Sequence, residues 1–375
     1  MKKPEVIVIG GGVTGTVAAL TLAEAGASVM LIDEGVNAGS GANAGSLHVQ
    51  MQSRFMRLYP DQVPNVEAAL PFYRMAAEEW VRLDKDLGGI ELVRKGGLML
   101  AETEEQLAFL SKKAEREAAQ GLSVEILNRE ALDRIAPWLG LQIIGAELCR
   151  DEGKLNPLIA NRLLGARAAA VGVRRLAGRV TALRPTPQGI ELETAHETLT
   201  ADKVVVAAAW GAGALVHGFG VSLPTKAEPL HMNITEPGAP VINHLVQHAE
   251  RSITLKQFST GQIVIGGGWP ATTAGWSAPP TVISGSMLQN VALAAHLAPA
   301  ISNLRVIRTW AGMNTTIDGA SVIGPLPASD RIVMAVPGDA GYTLGPLVGR
   351  IAAQLAMGDM GEIDVGRFSP ARFAT

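Results

Sequence analysis

The chain has 375 residues, 47% hydrophobic and 18% charged, with a formal net charge of −3. That length predicts two domains, and the charge offers neither a basic face for nucleic acid nor a polybasic membrane anchor. No apolar run reaches the roughly 18 residues of a membrane helix, and the single Cys149 allows no intrachain disulfide, so a reducing cytoplasm is the expected location.

Taken in chain order, the first signal is the apolar run Glu5–Ile9, which feeds into Gly10-Gly11-Gly12-Val13-Thr14-Gly15. A helix-like stretch from Val17 to Ala25 stops at Gly26, and a second apolar run ends on Asp33 and Glu34. Strand, glycine turn, helix, strand and acid make a dinucleotide grip. Gly10 turns tightly, Gly12 lets backbone approach a pyrophosphate, and Gly15 lets helix and strand pack closely. The helix N-terminus presents free N–H groups to phosphate, and Asp33 is placed to accept from ribose hydroxyls. Alone, this grip suits NAD as well as FAD. Glu5 and the glycines argue against a signal peptide after Lys2 and Lys3.

The small-residue loop Gly39–Gly45 would let a ligand touch backbone N–H groups. Leu47, Val49 and Met51 then alternate with His48, Gln50, Gln52 and Arg54. Period two predicts an extended segment with one polar face, either a solvent-facing edge strand or a polar wall beside a cofactor. Spacing predicts a helix over Glu67–Leu87. A strand at Leu98–Ala101, a capping box at Thr103–Gln106 opening a second helix, and a strand to Leu127 resemble an inserted unit. Asn156-Pro157 starts a helix to about Val171. Strand-like runs follow at Arg179–Leu183, Ile190–Glu193 and Leu199–Ala201, and Lys203–Ala209 has the all-apolar look of a strand buried on both faces.

From Thr225 to Ile307 the runs Leu230–Thr235, Val241–Leu245, Ser252–Gln257, Ile263–Gly266 and Leu304–Ile307 predict an antiparallel sheet, interrupted by a helix at Gly285–Leu297. The strand Val333–Val336 then meets a second glycine loop, Gly338–Gly345, and a helix to Met357 with Pro346 near its first turn. A second open helix N-terminus suits the negative charge that a reduced flavin gains.

GGGVTG with Asp33, SGANAG at Ser40–Gly45, VVVAAAWG at Val204–Gly211, TWAGMNTTIDGASVIGP at Thr309–Pro325 and GDAGYTLGPLVG at Gly338–Gly349 together resemble the D-amino-acid-oxidase-like, FAD-dependent amine oxidoreductases. Within that family, Gly39–Phe55 is most similar to the B subunit of heteromeric opine (octopine or nopaline) oxidases. The resemblance implies an α/β FAD-binding Rossmann-like domain over 1–90, 140–220 and 305–375, and a second, mainly antiparallel α+β substrate domain over 91–139 and 221–304. It implies one non-covalent FAD, no metal, and oxidation at a C–N bond. It also implies partners, an alpha subunit and a small iron–sulfur subunit, because one cysteine cannot hold a cluster that takes about four ligands.

Carried over by position, Gly10, Gly12, Val13, Thr14 and Gly15 would hold the pyrophosphate, and Asp33 and Glu34 the adenosine ribose. Ser40, Asn43, Ala44, Gly45, Ser46 and Leu47 would line the cofactor toward the flavin. The Val180 backbone would meet the adenine, with Ala208 and Trp210 nearby, and Gly312, Gly341, Tyr342, Thr343 and Leu344 would lie at the flavin. Many members have an arginine shortly after WAG that pairs with the substrate carboxylate; Asn314 stands there, and Asp339 stands where histidine is frequent. His48 and His231 are candidates for a base, with Tyr342 as a third catalytic candidate. Arg54, Arg251, Lys256 and Asn314 are the substrate-binding candidates. The expected chemistry is hydride transfer to flavin followed by hydrolysis of the imine to an amine and a 2-oxo acid. A stand-alone glycine- or sarcosine-type oxidase, a flavin-binding scaffold and an NAD-dependent dehydrogenase are the alternatives.

Overall fold

The computed structural model describes residues 3–36, 39–273, 275 and 278–375. Two compact units divide the chain: Met1–Gly41, Leu158–Glu228 and Asn314–Thr375 form the first, Ala42–Pro157 and Pro229–Met313 the second. Residues 42–90, 140–157 and 305–313, expected with the dinucleotide grip, fall in the second of these units, and 221–228, expected with the substrate domain, falls in the first.

In the first unit a six-stranded sheet runs in the order Val322–Leu326, Ser329–Val336, Lys203–Val206, Val6–Ile9, Val29–Asp33, Arg174–Ala177. All neighbours pair in parallel except the first two, which form a hairpin. Val6–Ile9 lies centrally and is buried along its whole length, as its unbroken apolar run requires. A three-stranded antiparallel sheet (Val180–Thr186, Gly189–Thr194, Thr198–Ala201) packs Val180, Leu183, Ile190 and Leu192 into the same core as Ile7, Ile32, Val204 and Met334.

The helix Val13–Glu24 is buried at nearly every position through Leu22, and the helix Gly341–Met357 packs directly on it. Their contact depends on missing side chains. A Cβ on Gly349 would overlap the Thr14 carbonyl oxygen, and one on Gly345 would come within 2.6 Å of Val13 Cγ1. This second helix begins at Gly341, so Pro346 sits inside it rather than near its first turn.

The second unit is organised on an eight-stranded sheet, ordered Val306–Thr316, Lys226–Thr235, Ile263–Gly266, Thr254–Gln257, Leu245–His248, Gly97–Ala101, Gly145–Cys149, Val124–Asn128. The registered pairs are antiparallel except Leu245–His248 with Gly97–Ala101. Leu98, Leu148, Val246, Leu255 and Ile265 form its core with Trp138, Leu293 and Leu297. Helices span Val63–Leu87, Glu104–Ala119, Arg129–Ile135 and Ser284–Leu297.

Two predicted strands are displaced. Val241 and Ile242 donate their N–H groups to the Gln257 side-chain oxygen (2.9 and 3.0 Å), so pairing starts only at Leu245. The alternating stretch after Ser46 pairs only over Ser46–Leu47, and Arg54 lies in the helix Ser53–Leu58. No helix among the described residues is long and apolar enough to cross a membrane.

Overpacking the helix crossing should be costly. Gly349→Val should destabilise the protein by about 1–3 kcal/mol in urea unfolding, the usual range for forcing bulk into a packed core. Gly285→Ala, in a helix with open space around its Cα, should be neutral or stabilising. Equal losses at both positions would refute the crossing constraint.

Candidate cofactor and substrate site

The first unit builds its grip from the turn after Val6–Ile9. Gly10 has φ +101°, and a side chain there would overlap the Ala207 carbonyl. Gly12 caps the helix Val13–Glu24 without a side-chain hydrogen bond, and no acidic residue lies in the first turn. Apart from the Val13 N–H, which Ser40 Oγ takes, the positive end of the helix faces a ligand without a competing acid. Asp33 accepts the Gly11 N–H (2.5 Å) and the Gly35 N–H (2.8 Å), leaving lone pairs for ribose hydroxyls. The segment toward Val180 is tied to the same acid, because the Gly178 N–H donates to the Asp33 carbonyl (3.0 Å).

Ser40 Oγ accepts the Val13 N–H at 2.9 Å. The Ser40 carbonyl accepts from Asn161 Nδ2 (2.8 Å), and Tyr342 donates its hydroxyl to Asn161 Oδ1 (3.0 Å). Asn161 thus joins the loop at Ser40 to the first turn of the helix Gly341–Met357. Sequence reasoning missed it; an asparagine four residues after a helix-opening proline carries no signal of its own. Burial pushes the Tyr342 phenol far above its ordinary range, so it remains a hydrogen-bond donor. That helix also lacks a side-chain cap and an acid in its first turn. Nearby, Ala208 precedes Ala209, a non-glycine residue at φ +49°, at the turn that carries Trp210. Asn314 Nδ2 lies 3.4 Å from both Glu228 Oε2 and Asp339 Oδ1, so the position of the family's arginine clamp is lined by carboxylates.

The second unit carries the rest of the loop. Gly45, at φ +78°, approaches Leu155 so closely that a side chain would overlap its carbonyl, and its N–H donates to Asn43 Oδ1 (2.7 Å). Gly312 packs on Ala42, whose carbonyl accepts from Trp310 Nε1 (2.8 Å). Ser46 Oγ accepts from Lys256 Nζ at 2.5 Å. Lys256 is 1% exposed, and burial, followed by the charge of Lys154, lowers its pKa to about 7.

The stretch from His48 to Arg54 is held by buried charge. Glu152 Oε1 accepts the Val49 and Gln50 N–H groups (2.8 and 3.2 Å), and its Oε2 accepts the side-chain amides of Gln50 and Gln247. Glu117 accepts the Met51 N–H at 2.6 Å. Lys113 Nζ joins Glu117 (2.8 Å), Glu147 (2.7 Å) and the Gln50 side-chain oxygen (3.0 Å). A Cβ on Gly97 would overlap Glu152, so this strand glycine makes room for the acid. His48 Nδ1 lies 3.8 Å from Glu152 Oε1, and the Arg54 guanidinium lies over Gly268, at φ +86°.

Two expected site residues are committed elsewhere. His231 is wholly buried, and its Nε2 lies 3.1 Å from Asn233 Nδ2, which donates on to Asn290 Oδ1. Burial lowers its pKa. Arg251 contacts Glu102 and lies 3.4 Å from His248 Nε2, an ion-pair cluster rather than an open carboxylate site.

The residues fit an FAD: glycine positions where side chains would fill the cradle, an acid for the ribose, and uncapped helix N-termini. Comparison with known proteins decides the family, because the FAD dependent oxidoreductase model matches residues 5–355. The chain belongs to that family. It is accordingly an FAD-dependent oxidoreductase. This oxidoreductase is 27% identical to a glycine oxidase from Bacillus licheniformis over 96% of this chain and 94% of that one. It is 26% identical to the B subunit of an opine oxidase from Rhizobium meliloti over 100% and 98%. Its fold superposes on the glycine oxidase from Geobacillus kaustophilus with a TM-score of 0.86, at 24% identity and full coverage of both chains.

The buried carboxylates predict a pH dependence of stability. Burial is the largest effect on Glu117 and, with Glu147 beside it, raises its pKa to about 9 against the opposing pull of Lys113. A carboxyl with a raised folded-state value stabilises fully below its unfolded value of 4.5 and loses that contribution as pH rises to about 9. Stability should therefore decline as pH rises across this window. Glu117→Gln should flatten the decline in urea titrations at several pH values; an unchanged slope would show that the proton is held elsewhere.

Proposed function

We propose that the oxidoreductase oxidises the C–N bond of an opine or related secondary-amine imino acid, as the flavin-bearing catalytic subunit of a heteromeric dehydrogenase. The observation that carries this reading is Asn314, between Glu228 and Asp339, where a simple amino-acid substrate would need a cation for its carboxylate. Full-length similarity to the B subunit of an opine oxidase supports it. An alpha subunit and a small iron–sulfur subunit would carry electrons onward.

Bound FAD supplies the two-electron acceptor for the substrate's hydride. The chain supplies grip, orientation and proton management. Gly10, Gly12, Gly15 and the first turn of the helix Val13–Glu24 take the pyrophosphate, and Asp33 takes the ribose. The uncapped start of the helix Gly341–Met357 offers positive potential to an electron-rich ring. Arg54 pairs with a substrate carboxylate. Lys256, neutral for part of the time near pH 7, takes the proton that a substrate ammonium must lose before its carbon can give up hydride. Water then adds to the imine and releases an amino acid and a 2-oxo acid.

A second reading, a stand-alone oxidase of the glycine or sarcosine type, is favoured by the comparable similarity to a glycine oxidase. Hydrogen peroxide released by the purified chain alone would select it.

Anaerobic mixing with a panel of opines, glycine and sarcosine should bleach the yellow protein most readily with the imino-diacids. Arg54→Ala should raise the half-saturating opine concentration at least about tenfold, as loss of a charge-assisted hydrogen bond does. Bleaching should accelerate as pH rises through about 7, where Lys256 loses its proton. Lys256→Met should remove that inflection, whereas His48→Gln should retain it. Exclusive bleaching by glycine would reject the opine reading.

A further inference from the structure

We propose that Lys154 is the positioning residue for Lys256: it holds the strand end that carries Lys256 and sets that amine's charge. The inference rests on the proton-acceptor role given to Lys256 above, although its central claim can be measured without turnover.

The two lysines share one neighbour. Gly153–Lys154 pairs antiparallel with Ser46–Leu47, which puts the Lys154 backbone directly opposite Ser46. Ser46 Oγ is in turn the acceptor for Lys256 Nζ. Lys154 Nζ reaches back to the residue after Lys256, donating to the Gln257 carbonyl at 2.6 Å and to the Ile242 carbonyl at 3.2 Å. Both side chains are buried, and neither has a carboxylate partner among the described residues. Lys113, in the same unit, is buried between two acids, as a desolvated cation requires. Two buried ammonium groups without an anion cannot both hold their protons cheaply, and the second to ionise is disfavoured by the first.

The surrounding charges leave Lys154 in control. Glu152, two residues before it, is committed to Val49, Gln50 and Gln247. His244, with its Nδ1 buried and unpartnered, has its pKa lowered to about 4 by burial and then by Lys154, Lys95 and Arg150, so it adds no further positive charge. His248, on the strand beside Lys256, is likewise lowered to about 4, chiefly by burial. Lys154 has two carbonyl acceptors where Lys256 has one hydroxyl. It is therefore the lysine that keeps its charge at neutral pH, with a pKa of about 8 against about 7 for Lys256.

The test is a titration of Lys256 itself in the FAD-loaded protein. Lysines labelled with carbon-13 beside the amine are followed by NMR against pH, and Lys256→Met identifies the signal. Lys154→Gln keeps N–H donors for the two carbonyls but removes the charge; it should move the Lys256 midpoint up by about one pH unit. Lys154→Arg keeps the charge and should leave the midpoint low. A folded Lys154→Gln protein with an unmoved midpoint overturns the proposal. Should Lys154→Gln fail to fold, an elevated midpoint in Lys154→Arg overturns it and a low one sustains it. The pH profile of flavin bleaching should shift with the NMR midpoint. If the midpoint moves and the profile does not, control by Lys154 stands and the proton-acceptor role of Lys256 falls.

Discussion

The first unit depends on how closely two helices can approach. Ordinary side chains keep packed helix axes about 8–10 Å apart. Here Gly345 and Gly349 remove the spacer on one helix, and Thr14 lies against them near the start of the other. The second turn of the C-terminal helix thereby rests on the first turn of the N-terminal one. Two uncapped, positively polarised N-termini are gathered in one unit. Asn161 ties the arrangement together, because one amide satisfies both the Ser40 carbonyl and the Tyr342 hydroxyl.

The second unit solves a different problem. The segment Val49–Met51 pairs with no strand among the described residues, yet its backbone N–H groups are buried and need acceptors. Glu152 and Glu117 provide them, in place of the carbonyls of a sheet partner. A carboxylate accepts from several directions at once, so one acid can hold a turn that a strand could not follow. The arrangement requires ionisable groups in a dry interior, which Lys113 offsets at one end and Gly97 accommodates at the other.

Much of this was legible in the sequence where local chemistry dominates. The opening strand, turn, helix and acid, the helix from Pro157, the buried run at Val204–Val206 and the strand Ile263–Gly266 all formed as patterned. Reading failed where a distant side chain replaced backbone pairing, as Gln257 did at Val241 and Glu152 did at Val49. Period two correctly put Leu47, Val49 and Met51 inside, but it could not show that Gln50 was buried as well. The strand expected over Leu304–Ile307 instead runs over Val306–Thr316. Charged candidates fared worst. Arg251 and Lys256 have the same polarity in sequence, yet one lies in an ion-pair cluster with Glu102 and the other against the Ser46 hydroxyl, a difference set by residues far away in the chain.

The threading of the first unit has a consequence for biosynthesis. Its central strand, Val6–Ile9, is made well before the strand Ser329–Val336 and the helix that covers Val13–Glu24. At about 5–20 residues per second, roughly 15–60 s separate them. The second unit, apart from the end of its strand Val306–Thr316, is complete in the chain by Met313. Until the C-terminal helix is made, the small-residue face around Thr14 lacks the partner that covers it.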